Sequence, residues 1–593
     1  MGRDTRRRHA GRLAVLACLA LPATAHAAPP PSGVVDRTET PWTSQAGADV
    51  PRWTGVTQSL VRLKAPLDAR YPRHPEACDW LSYLRWRDAD GPADARDAEA
   101  VYVAMPGIFE GAAGFDIFAR NVVSQAARSG HHVEVWGLDR RSNCLEDRTG
   151  IEGAKAARDA RVALDYYYAG KEIAGRRFED FHGDTTGTFA IDLHAKDDFQ
   201  RQLGLEQTLR DYYAVIADGF PDPAQRRRKV VCGGHSLGGI LTGLFAAWDF
   251  DGRRATTDDA GVAQCAGFLS VDTFAVSRAD RAVVPALTGI TSQLAQLQPG
   301  MPPYLSLPVI NPEVMAVLTG AAGHAYWEGG RESSLPREIP RTRRVAEALR
   351  ILFSRDLAAY RRGGRPDLTD LRVTSEAIFG LMLDDNSYNF SGIAQVSMGY
   401  PAGGPLAPKS FPLPNDAARI PGLNLLAGNL LGVGRLVVPT AARTPDGGGP
   451  LYGWRTLGDV PTNRVTNPSR ESADLRQVAR AFFEPPDDFL EYYFPSKLAY
   501  ESMTALLGVR PGALGRHLLW DDAAFSWRGL NLIAGEGPAR AAGGIVRRPG
   551  RSVLIPFAKH LDPLTAAPVQ ADGREDRSMV EATNFLLSFR AGA

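Results

Sequence analysis

Gly234-His235-Ser236-Leu237-Gly238 is the stretch that most restricts how this chain can fold. An apolar run, Val230-Val231-Cys232, leads into it and Gly239-Ile240-Leu241-Thr242-Gly243-Leu244 leads out. The pattern predicts a strand, a sharp turn and a helix, with a serine at the tip of the turn. A turn that tight strains the serine backbone, and side chains two positions to either side would strike the crossing strand and helix; glycine at 234 and 238 removes them. The bare spacing recurs by chance in a chain with 60 glycines, and an idle serine on a glycine-rich turn is the plain alternative. The flanking strand and helix favour Ser236 as a nucleophile, which then needs a base from elsewhere in the chain.

At 593 residues the chain exceeds one ordinary core, so two lobes or one domain with a large insertion is expected. Residues 1–27 stand apart. Arg3, Arg6, Arg7, Arg8 and Arg12 precede the apolar stretch Leu13–Leu21, followed by Pro22, Ala25-His26-Ala27 and a Pro29-Pro30-Pro31 linker. This is the pattern of a signal peptide cut after Ala27, too short in its apolar part to remain as a membrane span. A periplasmic or secreted protein follows; a lipoprotein cut before Cys18 and a twin-arginine route are the lesser alternatives. Cleavage removes five arginines and one aspartate and takes the formal net charge from +1 to −3, which gives no reason to expect nucleic-acid binding. Four cysteines remain, Cys78, Cys144, Cys232 and Cys265, in spacings that match no zinc or redox motif.

From Cys78 onward the chain alternates strand and helix: an extended segment 79–87, a buried strand 98–105, a helix 115–128, a strand 133–138, a helix 205–218, the nucleophile strand, and a strand 266–271. Residues 150–200 interrupt the alternation with an excursion around Phe181-His182-Gly183-Asp184. It is lost after Phe274 and resumes near Leu530, with strands 530–534 and 552–557 and a final helix 579–589. The expected organisation is a core over 28–274, a cap insertion over 275–511, and the closing part of the core over 512–593. The uncharged run Ile420–Gly434 lies in the cap, too broken by glycine and asparagine for a membrane span; it reads as a buried cap segment or an apolar lid.

Three histidines follow Ser236. His324 sits in the irregular insertion, and His517, in Arg516-His517-Leu518-Leu519-Trp520, suits a packed structural role. His560 directly follows a predicted strand with one helix left to the C-terminus, so a loop there places an imidazole over the nucleophile. His235, adjacent to the serine, serves better as a buttress of the turn. For the acid that orients the base, Asp272 ends the strand after the nucleophile strand and Glu536 ends the next; Asp272 is favoured as short and well fixed, Glu536 is the alternative, and Asp521 or Asp522 are outsiders. The oxyanion needs two donors: the backbone N–H of Leu237 at the helix start, and one from Met105-Pro106-Gly107-Ile108-Phe109-Glu110-Gly111, where that of Ile108 fits.

These residues together resemble the α/β-hydrolase superfamily. Gly-His-Ser-Leu-Gly is similar to its lipase and esterase elbow, the order Ser236, acid, His560 matches its chain order, and His-Leu-Asp at 560–562 resembles a lipase histidine loop. An acid at Asp272 resembles the pancreatic-lipase-like members. The sequence departs from the pattern in carrying Pro106-Gly107 where His-Gly is usual, and in lacking a clear aspartate after the penultimate strand. The resemblance implies a mostly parallel sheet flanked by helices, an α/β-hydrolase fold interrupted by the large cap insertion, which itself resembles no known family. It also implies an acyl-enzyme mechanism on an ester, small-molecule or lipid, that needs no metal or cofactor. In that superfamily the second strand lies antiparallel beside the fourth, which places Cys78 near Cys144 and implies a disulfide between them, with Cys232 and Cys265 as buried thiols. A peptidase on the same scaffold and a non-catalytic envelope binding protein are the rival readings.

Overall fold

The computed structural model describes residues 32–181, 199–279, 302–412, 435–520, 528–542 and 550–590. The segment 1–27, residues 182–187, the run 420–434, and Asp521 and Asp522 lie outside them.

A nine-stranded sheet organises the molecule. Its strands are β1 (Asp36–Trp42), β2 (Val56–Lys64), β3 (Trp80–Asp88), β4 (Ala100–Met105), β5 (Val133–Leu138), β6 (Val230–His235), β7 (Gly267–Val271), β8 (Gly529–Ala534) and β9 (Arg551–Ile555). They lie in the order β1-β2-β3-β5-β4-β6-β7-β8-β9. The first four neighbours pair antiparallel and every pair from β5 to β9 is parallel. The central strands β4, β5, β6 and β7 are buried at every position, as parallel strands covered on both faces must be. This is why they read as continuous apolar runs in the sequence.

Strands β1 and β2 precede the region where the sequence shows alternation. In β1, Asp-Arg-Thr-Glu-Thr-Pro-Trp, six of seven residues are exposed, so the hydrophobic period that marks a strand is missing. Its place is set by the neighbour it hydrogen-bonds to, from Asp36 opposite Lys64 to Trp42 opposite Gln58.

Helices α1 (Asp116–Arg128), α2 (Leu205–Gly219) and α3 (Leu237–Ala247) connect and flank these strands. Between β7 and β8 no described residue joins the sheet. That stretch, here the insert, builds helices α4 (Pro312–Glu328), α5 (Ser375–Leu383), α6 (Leu475–Phe483) and α7 (Ser496–Leu506), and a small sheet of Arg372–Val373, Tyr400–Ala402 and Leu451–Arg455. Asn311 caps α4 by accepting the Val314 N–H, with Pro312 at the first helical position, and Asp474 caps α6 by accepting the Gln477 N–H. The helix α4 packs on α5 and α6. Phe379, Val478, Phe482 and Phe489 of the insert share one hydrophobic core with Val103, Phe115 and Leu241 of the sheet and its helices. The last helix, α8 (Arg577–Leu587), closes against α1.

Two disulfides staple the fold. Cys78, just before β3, bonds Cys144, just beyond β5, with Cα atoms 4.9 Å apart. Cys232 and Cys265 are not the buried thiols expected but a second disulfide, Cα to Cα 5.7 Å. Cys232 sits on β6 and Cys265 just ahead of β7, its parallel neighbour, which the Ala266 N–H ties to the Val230 carbonyl at 2.7 Å, so the two sulfurs meet across adjacent strands. No helix among the described residues is long and apolar enough to cross a membrane.

Candidate active site

The parallel strands end at one edge of the sheet, and the candidate residues follow those ends: Ser236 after β6, Asp272 after β7, Glu536 after β8 and His560 after β9. Open α/β sheets bind ligands at the carboxyl ends of their strands.

Ser236 adopts φ 52° and ψ −122° at the head of α3, a conformation rare for a residue with a side chain. Space is withheld all round it. A Cβ on Gly234 would lie 2.3 Å from the Met105 carbonyl oxygen, and one on Gly238 would lie 2.0 Å from the same atom. The elbow therefore admits only glycine at these positions, because β4 ends against it. A Cβ on Gly107 would sit 3.0 Å from Ser236 Cβ, so the loop carrying Ile108 closes directly on Ser236. Ser236 itself is half-buried among buried neighbours.

Asp272 has φ 42° and is locked at both ends. Its N–H donates to the Leu532 carbonyl at 2.7 Å, its Oδ1 accepts the Ala534 N–H at 3.0 Å, and its Oδ2 lies 2.6 Å from His560 Nδ1. Gly537 makes room for the carboxylate, since a Cβ there would come within 2.2 Å of Oδ2. Glu536 turns elsewhere: Oε2 pairs with Lys559 at 3.0 Å, and Oε1 with Arg470 at 3.0 Å and Arg435 at 3.5 Å. Of the two carboxylates the sequence left open, Asp272 is the one on the imidazole. His560 is buried, and burial together with a charged neighbour, His235, holds its pKa below the ordinary histidine range against the opposing pull of Asp272.

The other histidines lie apart. His517 stacks on Trp248 with ring centroids 4.9 Å apart and meets the Asp249 carbonyl at 2.6 Å, a packing role. His324, buried on α4, faces Glu328 of its own helix at 3.2 Å. His235, next to Ser236 on the elbow, reaches two other segments. Its Nε2 meets the His560 carbonyl at 3.0 Å, and its Nδ1 meets Glu110 Oε2 at 2.9 Å.

Glu110 and Arg140 have no signal in the sequence, because their partners come from three separate segments, the loop after β4, the end of β6 and the insert. Glu110 accepts the Gly107 N–H at 2.5 Å. Arg140 donates to the Pro106 and Gly107 carbonyls, the latter at 2.7 Å, and pairs with Glu491 of the insert. With its carbonyls drawn to the guanidinium, the loop is free to turn N–H groups the other way. The insert also holds this loop by backbone: the Glu491 N–H donates to the Phe109 carbonyl at 3.0 Å, and the Gly111 N–H to the Phe489 carbonyl at 2.8 Å.

Beside the loop lies a cavity of about 100 Å³, lined by Ile108, Phe109, Met315, Leu318, Phe482 and Leu561 among others. Among the described residues on its wall, Glu110 is the only charged side chain. Among the described residues, two carboxylate trios gather their oxygens within 4.8 Å, Asp249 with Asp251 and Asp259, and Asp384 with Asp385 and Glu471. Only the second comes near the histidine loop, through Asp385 and Lys559 at 3.5 Å.

No protein-family model matches the chain, and no curated protein matches it. Among solved structures, it is similar to the peroxisomal α/β-hydrolase Lpx1 of Saccharomyces cerevisiae at 9% identity, covering 94% of this chain and 90% of that one, with a TM-score of 0.30. A hypothetical protein of Pseudomonas aeruginosa PAO1 is 13% identical over 86% of this chain and 94% of its own, with a TM-score of 0.25. The glucuronoyl esterase of Solibacter usitatus is 12% identical over 45% and 58%, with a TM-score of 0.23. The strand order carries the fold instead: β3 runs antiparallel beside β5, a strained serine sits on a glycine-walled elbow after β6, and an aspartate and a histidine follow β7 and β9. By that topology the chain has the α/β-hydrolase fold.

Proposed function

We propose that the protein is an exported serine hydrolase that cleaves carboxylic esters through an acyl-enzyme. The observation that carries this reading is the 2.6 Å contact between His560 Nδ1 and Asp272 Oδ2, buried at the same sheet edge as the strained Ser236. Bound to Asp272, Nδ1 carries the proton and Nε2 is left as the base. Ser236 Oγ gives its proton to Nε2 and attacks the ester carbonyl, forming a C–O bond as the carbonyl π pair moves to oxygen. The backbone N–H groups of Leu237 and Ile108 stabilise that oxyanion. Collapse expels the alcohol, which takes the proton from His560. Water, deprotonated by the same imidazole, then releases the acid and regenerates the hydroxyl of Ser236.

The apolar cavity beside Ile108 supports a hydrophobic acyl or aryl group on one side of the ester. At about 100 Å³ it is well below the roughly 300 Å³ at which pockets hold a whole drug-sized ligand, so it suits one short arm of the substrate. A peptidase that grips an α-amino group needs a free carboxylate on that wall, and Glu110 is already engaged by Gly107 and His235. Two disulfides support export to an oxidising compartment. The test is a fluorophosphonate probe followed by p-nitrophenyl esters of graded acyl length, with aminoacyl amides alongside. The expected result is labelling lost in Ser236→Ala, fastest turnover on short to medium acyl esters and none on the amides. An unlabelled wild-type protein overturns the enzyme reading, and amide cleavage overturns the ester reading.

A further inference from the structure

Two buried residues behind the nucleophile, His235 and Glu110, take part in none of the steps above. His235 Nε2 lies 3.0 Å from the backbone carbonyl of His560. A carbonyl only accepts, so Nε2 carries a proton. Across the ring, Nδ1 lies 2.9 Å from Glu110 Oε2, and that oxygen also accepts the Gly107 N–H at 2.5 Å. A carboxylate oxygen that accepts from both sides leaves Nδ1 protonated as well, and a ring protonated at both nitrogens is an imidazolium.

We infer that His235, held as a cation by Glu110, is a positioning residue that ties the oxyanion loop, the nucleophile elbow and the histidine loop into one unit and tunes the base by its charge. The kinetic part of this rests on the triad reading above; the ion pair does not. Each of the three segments supplies one end of the bridge: Gly107 and Glu110 from the loop after β4, His235 from the end of β6, and the His560 carbonyl from the loop after β9. The loops come from strands that do not all touch, so the sheet alone does not fix their relative height, and this chain of hydrogen bonds does.

The charge acts at short range, because the rings of His235 and His560 lie 4.4 Å apart between centroids. His560 is faced by His235, Asp272 and Glu110; His235 is faced by Glu110, Asp272 and His560. The nearest other charges are turned away. Asp562 accepts the Ser397 and Lys559 N–H groups, and Lys559 Nζ reaches Asp385 and Glu536. Burial disfavours a charged His235, yet Glu110 outweighs it and holds the ring above the ordinary histidine range, while burial also works against Glu110 and His235 holds it below the ordinary carboxylate range. A cation beside His560 keeps that imidazole in its free-base form, ready for the serine proton.

Two measurements test this. In the first, the full-length Ser236→Ala protein labelled with ¹⁵N-histidine is titrated by NMR, and the His235 signals are assigned by their loss in His235→Gln. Both ring nitrogens should remain protonated through and beyond the ordinary histidine titration near about pH 6.5, and a ring that has lost a proton by then overturns the ion pair whether or not the protein hydrolyses esters. In the second, p-nitrophenyl butyrate turnover is followed against pH. Removing the cation in His235→Gln should raise the acid limb of kcat/KM by about one pH unit and lower kcat about tenfold, with KM nearly unchanged. Glu110→Gln, which removes both charges, should raise the limb by a smaller step and serves if His235→Gln does not fold. A limb that stays in place with kcat intact overturns the positioning role. A wild-type protein that neither labels nor turns over defeats the triad reading instead, and the NMR titration still decides the ion pair.

Discussion

Asp272→Asn is the substitution whose effect the geometry specifies most fully. The carboxylate is fully buried and 2.6 Å from His560 Nδ1, with the imidazole side chain 3% exposed. When the serine proton reaches His560 the ring becomes a cation, and with charge centres about 4 Å apart at an effective dielectric near 20 the carboxylate stabilises it by about 4 kcal/mol. Asparagine loses that attraction and reverses the local hydrogen bond. The Ala534 N–H, at 3.0 Å from Oδ1, keeps the amide oxygen on its side, so the amide nitrogen faces His560 and donates to Nδ1. The ring is then fixed with its proton on Nε2, where it cannot accept from Ser236. At about 1.36 kcal/mol per decade, the lost attraction and the wrong tautomer predict a fall in kcat of about 10³ to 10⁴. KM should stay within about threefold, since nothing that lines the apolar cavity has changed. The assay is p-nitrophenyl butyrate turnover with thermal melting to show that the near-isosteric variant folds. Glu536→Gln is the companion, expected to keep kcat within about threefold because its carboxylate bonds Lys559, Arg470 and Arg435 rather than the imidazole. A kcat for Asp272→Asn above a tenth of wild type, or an equal fall in Glu536→Gln, refutes the reasoning.

Because burial and the neighbouring cation lower the pKa of His560, the free base persists to more acid pH than for an exposed histidine; the acid limb of kcat/KM should have its midpoint below about 6.5, measured between pH 4 and 8. Arg140→Lys replaces a fork that holds the Pro106 and Gly107 carbonyls with a single ammonium, and should slow both ester turnover and fluorophosphonate labelling by about 10- to 100-fold without changing the melting temperature much. Leu318→Trp fills the cavity beside Ile108 and should cut the octanoate-to-acetate rate ratio of p-nitrophenyl esters about tenfold. Removing the Cys78–Cys144 bridge by a double change to alanine reopens a loop of 66 residues in the unfolded chain and should cost about 4 kcal/mol in urea denaturation, ester specificity being unaffected.

What could be read in the sequence is what short-range physics fixes. Strands β4 to β7 are apolar at nearly every position because both faces are covered, and the elbow announces itself because only glycine fits at 234 and 238. What escaped was fixed by neighbours remote in the chain. Strand β1 is exposed and carries no period, so its partner β2 defines it. Asp272 and Glu536 end adjacent parallel strands, and the choice between them is made by Lys559 and Arg470, which occupy Glu536. Glu110 acquires its role from a histidine 125 positions later. Cys232 and Cys265 pair because β6 and β7 are neighbours, a fact that composition and spacing do not contain.

The backbone bonds that join Phe489 and Glu491 to the loop after β4 make the insert part of the scaffold of the candidate site rather than an appendage laid over it. Excising residues between β7 and β8 to obtain a minimal hydrolase would strip that loop of its flanking chain and leave Arg140 buried without Glu491. Trimmed versions of this protein should therefore lose turnover before they lose the sheet, and recombination with the bodies of other hydrolases would have to carry 487–494 along with the loop it braces.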